Sequence, residues 1–356
     1  MPEGLVIQSH KGPYSVAFEE DLLDDCQRLF VGQPHFLVDA NVARLYGDRL
    51  GSMLEHPDTL IIEAAEENKS IERVIRVIER LVANKVRRDH ILIGIGGGII
   101  QDITCFIAST LMRGVTWKFV PTTLLAQADS CIGSKSSINL GATKNILGTF
   151  NPPKEVFICT AFLDTLDIKD VRSGIGEILK IHAIEGAAVF DRIASDYDAL
   201  LEDRALLLAY VRDSLLMKQR FIEADEFDKG IRTVLNYGHS FGHAIESATD
   251  FGVPHGIGVT IGMDIANGIA ALRGLLPEAH YRRMHPVLRK NYAAVSATPI
   301  ALEAMLSALM KDKKNTASKV VLILAIGEEA RVQRVEIELD GTFARQCERS
   351  LQEMNA

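Results

Sequence analysis

Three histidines within seventeen residues, His239, His243 and His255, form the densest cluster of chemistry-capable side chains in the sequence. His239 and His243 stand at i and i+4, a spacing that puts both imidazoles on one face of a helix. There they can converge on a metal ion or a polar substrate. A third ligand has to come from elsewhere, and Glu177, in Gly174-Ile175-Gly176-Glu177-Ile178-Leu179-Lys180, is the best candidate. The pair lacks the glutamate of an HExxH zincin, which excludes that protease class. Far upstream, Gly94-Ile95-Gly96-Gly97-Gly98 follows an apolar run. It is neither a regular GxGxxG nor a Walker A loop, yet its backbone N–H groups can approach a pyrophosphate closely. A nucleotide site and a two-histidine, one-carboxylate metal site in one chain point to metal-assisted redox chemistry.

Other polar groups are open to two readings. Asp102, one turn beyond the glycines, either faces a bound nucleotide or caps a neighbour. Thr122, Thr123 and Asp129 follow an apolar run, where α/β sheets bind ligands, although threonines there also cap helices. Lys135 and the pair Lys144-Asn145 read as part of a glycine-bearing loop, and cations in such a loop suit a phosphorylated substrate. His182 falls on a different helical face from Glu177 and reads as structural, and Lys311-Asp312-Lys313-Lys314 reads as a solvated helix face.

These side chains need elements to hold them. Residues 36–39, 59–62, 91–94 and 117–120 read as buried strands, with helices predicted over 71–86 and 102–112. Leu5–Ile7 and Ser15–Phe18, around a Gly-Pro turn, predict an opening hairpin. Strand and helix in alternation mean βαβ units and a parallel sheet. From Asp170 to about Met310 the pattern is helical, with strand candidates beyond it at 320–323 and 332–337. The expected architecture is an α/β nucleotide-binding domain over residues 1–165, followed by a mostly α-helical domain over 166–356. The cleft between two such domains is the default active site.

At 356 residues the chain is long enough for two cores, and 47% hydrophobic with 24% charged residues is ordinary for a globular protein. A net charge of −8 argues against a general nucleic-acid binder. The five cysteines are scattered, odd in number and without a CxxC, so reduced thiols and a cytoplasmic location are expected. The polar start predicts no secretory signal, and no apolar run reaches the roughly 20 residues of a membrane span.

Together the segments GGGIIQD, MRG, PTTLLAQADS, SKSSIN, KNILGTF, GIGEILK, DEFDKGIRTVLNYGHSFGHAIE, PHG and KDKK, in this order between about Asp39 and Ile323, resemble the sugar-phosphate cyclases. The 3-dehydroquinate synthases are the best-known branch of that family. The resemblance implies a Rossmann-like NAD domain and a helical metal-binding domain, in a homodimer. It implies Glu177, His239 and His255 as ligands of zinc or cobalt, with His243 in a proton relay instead of on the metal. Lys135, Asn145, Lys180, Lys218, Arg232 and Asn236 match substrate-binding positions. Arg113 matches an arginine that reaches a substrate phosphate across the dimer interface, and Lys313 or Lys314 completes the pocket. The NAD positions map to Asp39, Asn41, Glu66, Lys69, Gly97, Gly98, Asp102, Thr122, Thr123, Asp129, Lys144 and Thr165.

The implied reaction is a transient oxidation, β-elimination of phosphate, re-reduction and aldol closure to a carbocycle. The substrate is then a phosphorylated sugar, with neither nucleic acid nor membrane as a partner. Several positions depart from a typical dehydroquinate synthase. Gln101 replaces the usual glycine before Asp102, Gly133-Ser134-Lys135-Ser136-Ser137 replaces Gly-Gly-Lys-Thr-Gly, and Ile257 replaces the usual glutamate. Pro152-Pro153 resembles the branch that acts on sedoheptulose 7-phosphate or glucose 6-phosphate to give valiolone or deoxy-inosose. Another class, a metal-dependent NAD polyol dehydrogenase, would leave the lysines and Arg113 with unpaired charge.

Overall fold

The structure is a computed structural model and describes residues 4–141, 143–295, 298–311, 315 and 318–355. The chain forms two compact units, Met1–Leu166 with Gln219–Phe227, and Asp167–Lys218 with Asp228–Ala356.

Among the described residues the first unit has nine strands: β1 (Leu5–Ile7), β2 (Tyr14–Phe18), β3 (Pro34–Asp39), β4 (Thr59–Ile62), β5 (Ile91–Gly96), β6 (Thr116–Pro121), β7 (Lys135–Leu140), β8 (Thr143–Phe150) and β9 (Glu155–Ile158). Seven of them form one sheet in the order β1-β2-β9-β6-β5-β3-β4. All of its pairings are parallel except β1 with β2, the antiparallel hairpin expected around the Gly-Pro turn. Helices α1 (Ala40–Leu45), α2 (Gly47–Leu54), α3 (Ile71–Ala83) and α4 (Gly98–Thr110) make the crossovers. β3 is wholly buried, as a central parallel strand covered on both faces must be. Its side chains pack with Ile93, Ile95, Val120 and Phe162 into one apolar cluster. From β3 the chain goes one way to β4 and then back across to β5. The switch point of the sheet therefore lies between the carboxyl ends of β3 and β5, where α/β folds bind ligands.

Three local expectations are corrected. The segment carrying Lys135, Lys144 and Asn145 is not a loop but the antiparallel β7–β8 hairpin, with a register shift between Ile138 and Leu140. Its glycines and polar side chains hid the strand alternation, because β8 is almost entirely exposed. Helix α4 starts at Gly98, not Asp102, and stops at Thr110, because Met112 and Arg113 take left-handed φ of 52° and 66°. Helix α3 ends at Ala83, short of Val86, as Lys85 also turns left-handed (φ 56°).

The second unit contains α5 (Ile168–Glu185), α6 (Ala187–Asp196), most of α7 (Arg204–Ala224), α8 (His239–Ala248), α9 (His255–Leu272), α10 (Glu278–Tyr292) and α11 (Leu302–Met310). A hairpin of β10 (Lys319–Ile326) and β11 (Arg331–Glu338) follows, and then α12 (Gly341–Asn355), which the sequence pattern did not reveal. Helix α9 is the hub, buried without interruption from Gly256 to Ala270. A helix apolar on every side belongs in the middle of a bundle.

Candidate metal centre and nucleotide site

Glycine contacts bring the metal-site residues together. Where α5 passes α9, a methyl on Gly256 would lie 1.8 Å from the Ser173 carbonyl oxygen. One on Gly176 would lie 2.1 Å from the Gly256 carbonyl oxygen, so the two backbones touch directly. The side chains next in sequence, Glu177 and His255, are thereby set against each other. Ser173 fixes the register, its Oγ accepting the Gly256 N–H at 2.9 Å. On the other flank Gly238 enters α8 at φ 78°, and a methyl there would meet the Val259 carbonyl oxygen at 2.5 Å. A side chain at that position would be both strained and excluded.

Nitrogen atoms of His239, His243 and His255 converge to within 4.8 Å of one another. Glu177 Oε1 lies 3.4 Å from His255 Nε2 and 3.9 Å from His239 Nε2. That oxygen is buried without a hydrogen-bond partner. A buried carboxylate oxygen left unbonded and facing two ring nitrogens fits a cation, and this donor set suits zinc or cobalt. Both Nδ1 atoms point away from the cluster. That of His239 is 3.2 Å from the Tyr237 carbonyl oxygen and that of His255 is 2.9 Å from Glu246 Oε1. With acceptors at Nδ1, both rings turn their Nε2 atoms toward Glu177 Oε1.

The electrostatics of Glu177 and His239 favour the same arrangement. Burial pushes the Glu177 carboxyl up, but the charge of Lys180 and the adjacent histidines outweighs it and holds the group well below its ordinary range. Lys180 ion-pairs with Glu177 Oε2, both side chains being almost fully buried. Burial, then the charge of Lys180, pulls His239 well below its ordinary value, so its ring is neutral and free to ligate. Burial also pulls His255 down, but the carboxylates of Glu177 and Glu246 outweigh it and raise the ring to about 10, so a cation bound there must displace its Nε2 proton.

Lys218 (8% exposed) and Arg232 (7%) are also buried cations of this unit, with Arg232 and Asn236 on the 3-10 turn Ile231–Asn236. Asn236 Nδ2 donates to the Thr233 carbonyl. His243 is the exposed member of the histidine cluster. His182 is buried, with Nδ1 at 2.7 Å from the Ile178 carbonyl oxygen and no part in the cluster. Lys313 and Lys314 lie outside the described residues.

In the first unit the nucleotide candidates gather at the switch point. Asp39 ends β3 and caps α1 by accepting the Asn41 N–H at 2.8 Å. A methyl on Gly96, at the end of β5, would stand 3.2 Å from Asp39 Cβ. Gly97 caps α4 without a side-chain bond, and Gly98 faces open space, with nothing within 4 Å of a would-be methyl. Uncapped N–H groups over open space form a cradle that fits a pyrophosphate. Buried Lys69 pairs with Asp102 at 2.8 Å, and Asp102 Oδ1 also accepts the Ser137 N–H. Burial nevertheless holds Asp102 above its ordinary value, with Lys69 opposing it. Lys144 approaches Glu66 at 3.9 Å, and Asn139 donates to the same Glu66 Oε1 at 2.9 Å. Thr122 is buried, Thr123 Oγ1 accepts the Ala126 N–H as a cap, and Asp129 lies on the short π-helical turn Ala126–Ser130. Exposed Thr165 hydrogen-bonds Tyr46. On the β7–β8 hairpin Lys135 is exposed and Asn145 accepts from the Ser137 hydroxyl at 2.9 Å. Arg113 is exposed on the left-handed turn that ends in Gly114.

Sequence reasoning missed two groups. Gln101, noted only as a departure, donates to the Ser130 carbonyl at 2.5 Å and accepts from its hydroxyl at 2.6 Å, tying α4 to the turn that carries Asp129. Glu246 was signalled only by its place three residues after His243, one turn along the same helix face.

A parallel sheet with an open glycine cradle at its switch point, and a helical unit with a carboxylate and histidines around a cation-sized gap, define a class of nucleotide- and metal-dependent enzymes. The family model described as 3-dehydroquinate synthase N-terminal matches residues 59–173, and its C-terminal counterpart matches 174–315. The chain belongs to the 3-dehydroquinate synthase family. A 3-dehydroquinate synthase of Alkaliphilus metalliredigens (strain QYMF) is 33% identical over 339 residues, 94% of this chain and 95% of that protein. The structure of 2-epi-5-epi-valiolone synthase from Streptomyces hygroscopicus subsp. jinggangensis 5008, with NAD+ and Zn2+ bound, is similar at a TM-score of 0.80 and 27% identity, over 96% of each chain. A 2-deoxy-scyllo-inosose synthase complexed with carbaglucose-6-phosphate, NAD+ and Co2+ shares the fold at TM-score 0.80 and 22% identity, covering 98% of this chain and 100% of that one. No helix among the described residues is long and apolar enough to cross a membrane.

Proposed function

We propose that this chain is an NAD- and zinc-dependent sugar-phosphate cyclase, a carbon–oxygen lyase of the 3-dehydroquinate synthase type. Its substrate would be 3-deoxy-D-arabino-heptulosonate 7-phosphate. The observation that carries the reading is the unbonded Glu177 oxygen facing His239 and His255 beside buried Lys180, in a chain of this family. Glu177, His239 and His255 would hold zinc or cobalt, and the thirteen-residue α4 with its Gly97–Gly98 entrance would seat NAD, together with Asp39, Asp102 and the other nucleotide candidates. When bound, the metal acidifies a secondary alcohol, while the nicotinamide takes up its hydride and later returns it.

The chain's own residues do the rest. Lys180 and His243 would manage the protons released and taken up. Lys135, Asn145, Lys218, Arg232 and Asn236 would hold the substrate's oxygens through charge-assisted bonds. Arg113 would bind the phosphate that leaves by β-elimination once the neighbouring carbon is a ketone. We place Arg113 in the partner's site of a homodimer, as the family resemblance implies and as its exposure allows. The five cysteines, all buried and none in a disulfide, support a reducing, cytoplasmic setting. We propose the boundary between the NAD and metal domains at 165/166, one residue before the division of the two units at Leu166.

A second substrate reading is a specialised cyclase acting on sedoheptulose 7-phosphate or glucose 6-phosphate. The likeness to the valiolone synthase structure and the Gln101 clamp favour it. The deciding experiment follows phosphate release and NADH absorbance together, offering the three phosphorylated sugars separately to zinc-loaded protein with NAD. Release from the heptulosonate without NADH accumulation supports the first reading, and release from either other sugar supports the second. Bulk NADH formation from an unphosphorylated polyol, with no phosphate released from any sugar, overturns both. Arg113→Ala should weaken phosphorylated substrates by about 2–5 kcal/mol if the dimer buries the charge pair. Unchanged affinity would remove it from the site.

A further inference from the structure

Glu246 faces the metal centre without belonging to it. It lies on α8, three residues beyond His243, with 13% of its side chain exposed, and its Oε1 accepts from His255 Nδ1 at 2.9 Å. Its side chain runs along the α8–α9 contact, where a methyl on Gly258 would touch Glu246 Cγ at 3.7 Å. His255 is the first residue of α9, so its ring is held by few contacts of its own helix, and 34% of the side chain is exposed. His239 differs: the Tyr237 carbonyl, a backbone group two residues away, fixes its ring.

We infer that Glu246 is the positioning residue of the metal centre, a carboxylate that fixes the tautomer and the direction of His255 so that Nε2 meets Glu177 Oε1 across the ion. An imidazole can turn about two side-chain bonds and carry its proton on either nitrogen. An acceptor on Nδ1 removes both freedoms and makes Nε2 a better donor to the metal. The inference rests on Glu177, His239 and His255 being the metal ligands.

The test uses the full-length protein and two readouts that do not depend on turnover. These are the zinc dissociation constant from competition with a chelator, and the visible absorption of the cobalt-loaded protein. Glu246→Ala should weaken zinc by about 10- to 100-fold and alter the cobalt bands. Glu246→Gln, which keeps an oxygen at the same reach, should recover most of the affinity. Glu246→Asp, which keeps the charge but withdraws it by one methylene, should resemble alanine. This order of Gln above Asp decides the matter even if the alanine variant folds poorly. Zinc binding in Glu246→Ala within twofold of the parent, or Asp binding better than Gln, overturns the inference. His239→Ala, measured alongside, keeps the two failures apart. If it binds zinc fully, the ligand assignment itself has failed. If it loses zinc while Glu246→Ala does not, only the role of Glu246 is wrong.

Discussion

The two units hold their polar side chains by opposite means. At the nucleotide candidates of the α/β unit, the glycine that opens α4 leaves space. Gly98 opens onto nothing, and the groups around it hang from strand ends and short turns tied by hydrogen bonds such as Lys69–Asp102 and Gln101–Ser130. In the helical unit, glycine removes space. Gly176, Gly238 and Gly256 let backbones touch, and the candidate ligands sit beside those contacts. A site of the first kind tolerates change in stability but not in binding, whereas in the second kind stability and binding fail together.

The sharpest break of that contrast is a methyl in each unit. Gly256→Ala, with a backbone oxygen at 1.8 Å and no flexible side chain to yield, should cost at least about 3 kcal/mol or prevent folding. Denaturant unfolding measures it, and a parent-like midpoint would mean that α5 and α9 are less tightly joined than described. His239→Ala comes next. It removes a ligand instead of a support, so zinc affinity should fall by more than the roughly 100-fold that loss of an outer partner costs, and turnover with it. Metal analysis after dialysis checks this.

Gly98→Ala is the counterpart in the open unit. Stability should stay within about 1 kcal/mol, since alanine suits a helix better than glycine. NAD should bind more weakly by about 1–3 kcal/mol, because the methyl occupies the cradle. Fluorescence titration reads the affinity, and unaltered NAD binding would move the nucleotide elsewhere.

The smallest expected effect is a pH dependence confined to the helical unit. His285 bonds Asp264, 3.0 and 2.8 Å from its two oxygens, and this contact raises the ring above its ordinary value of 6.5 against the pull of burial. A raised histidine contributes stability that is fully present below pH 6.5 and lost as pH rises through the raised value. The gap in Tm between the parent and His285→Gln should therefore be widest near pH 6 and close toward alkaline pH. With the ring partly exposed, the contribution is on the order of 1 kcal/mol or less. A gap that widens with pH would reverse the assignment.

Sequence alone determined what local pattern can carry. Apolar runs of four to six residues bounded by turns marked β3 to β6, and their alternation with helices required a parallel sheet. The His239/His243 spacing marked a helix face, and the linked motifs marked the family. The β7–β8 hairpin escaped because an exposed strand carries no apolar alternation, and the end of α4 escaped because left-handed turns at Met112 and Arg113 leave no glycine signal at those positions. Only the tertiary structure decided that Glu177, 62 residues before His239 in the sequence, meets its histidines with one oxygen unbonded, and that Glu246 turns His255 toward it. The reason is physical: spacing fixes which side chains share a face of one helix. Which faces meet depends on how closely two backbones can approach, and here that rests on glycines whose role appears only when their neighbours across the contact are known.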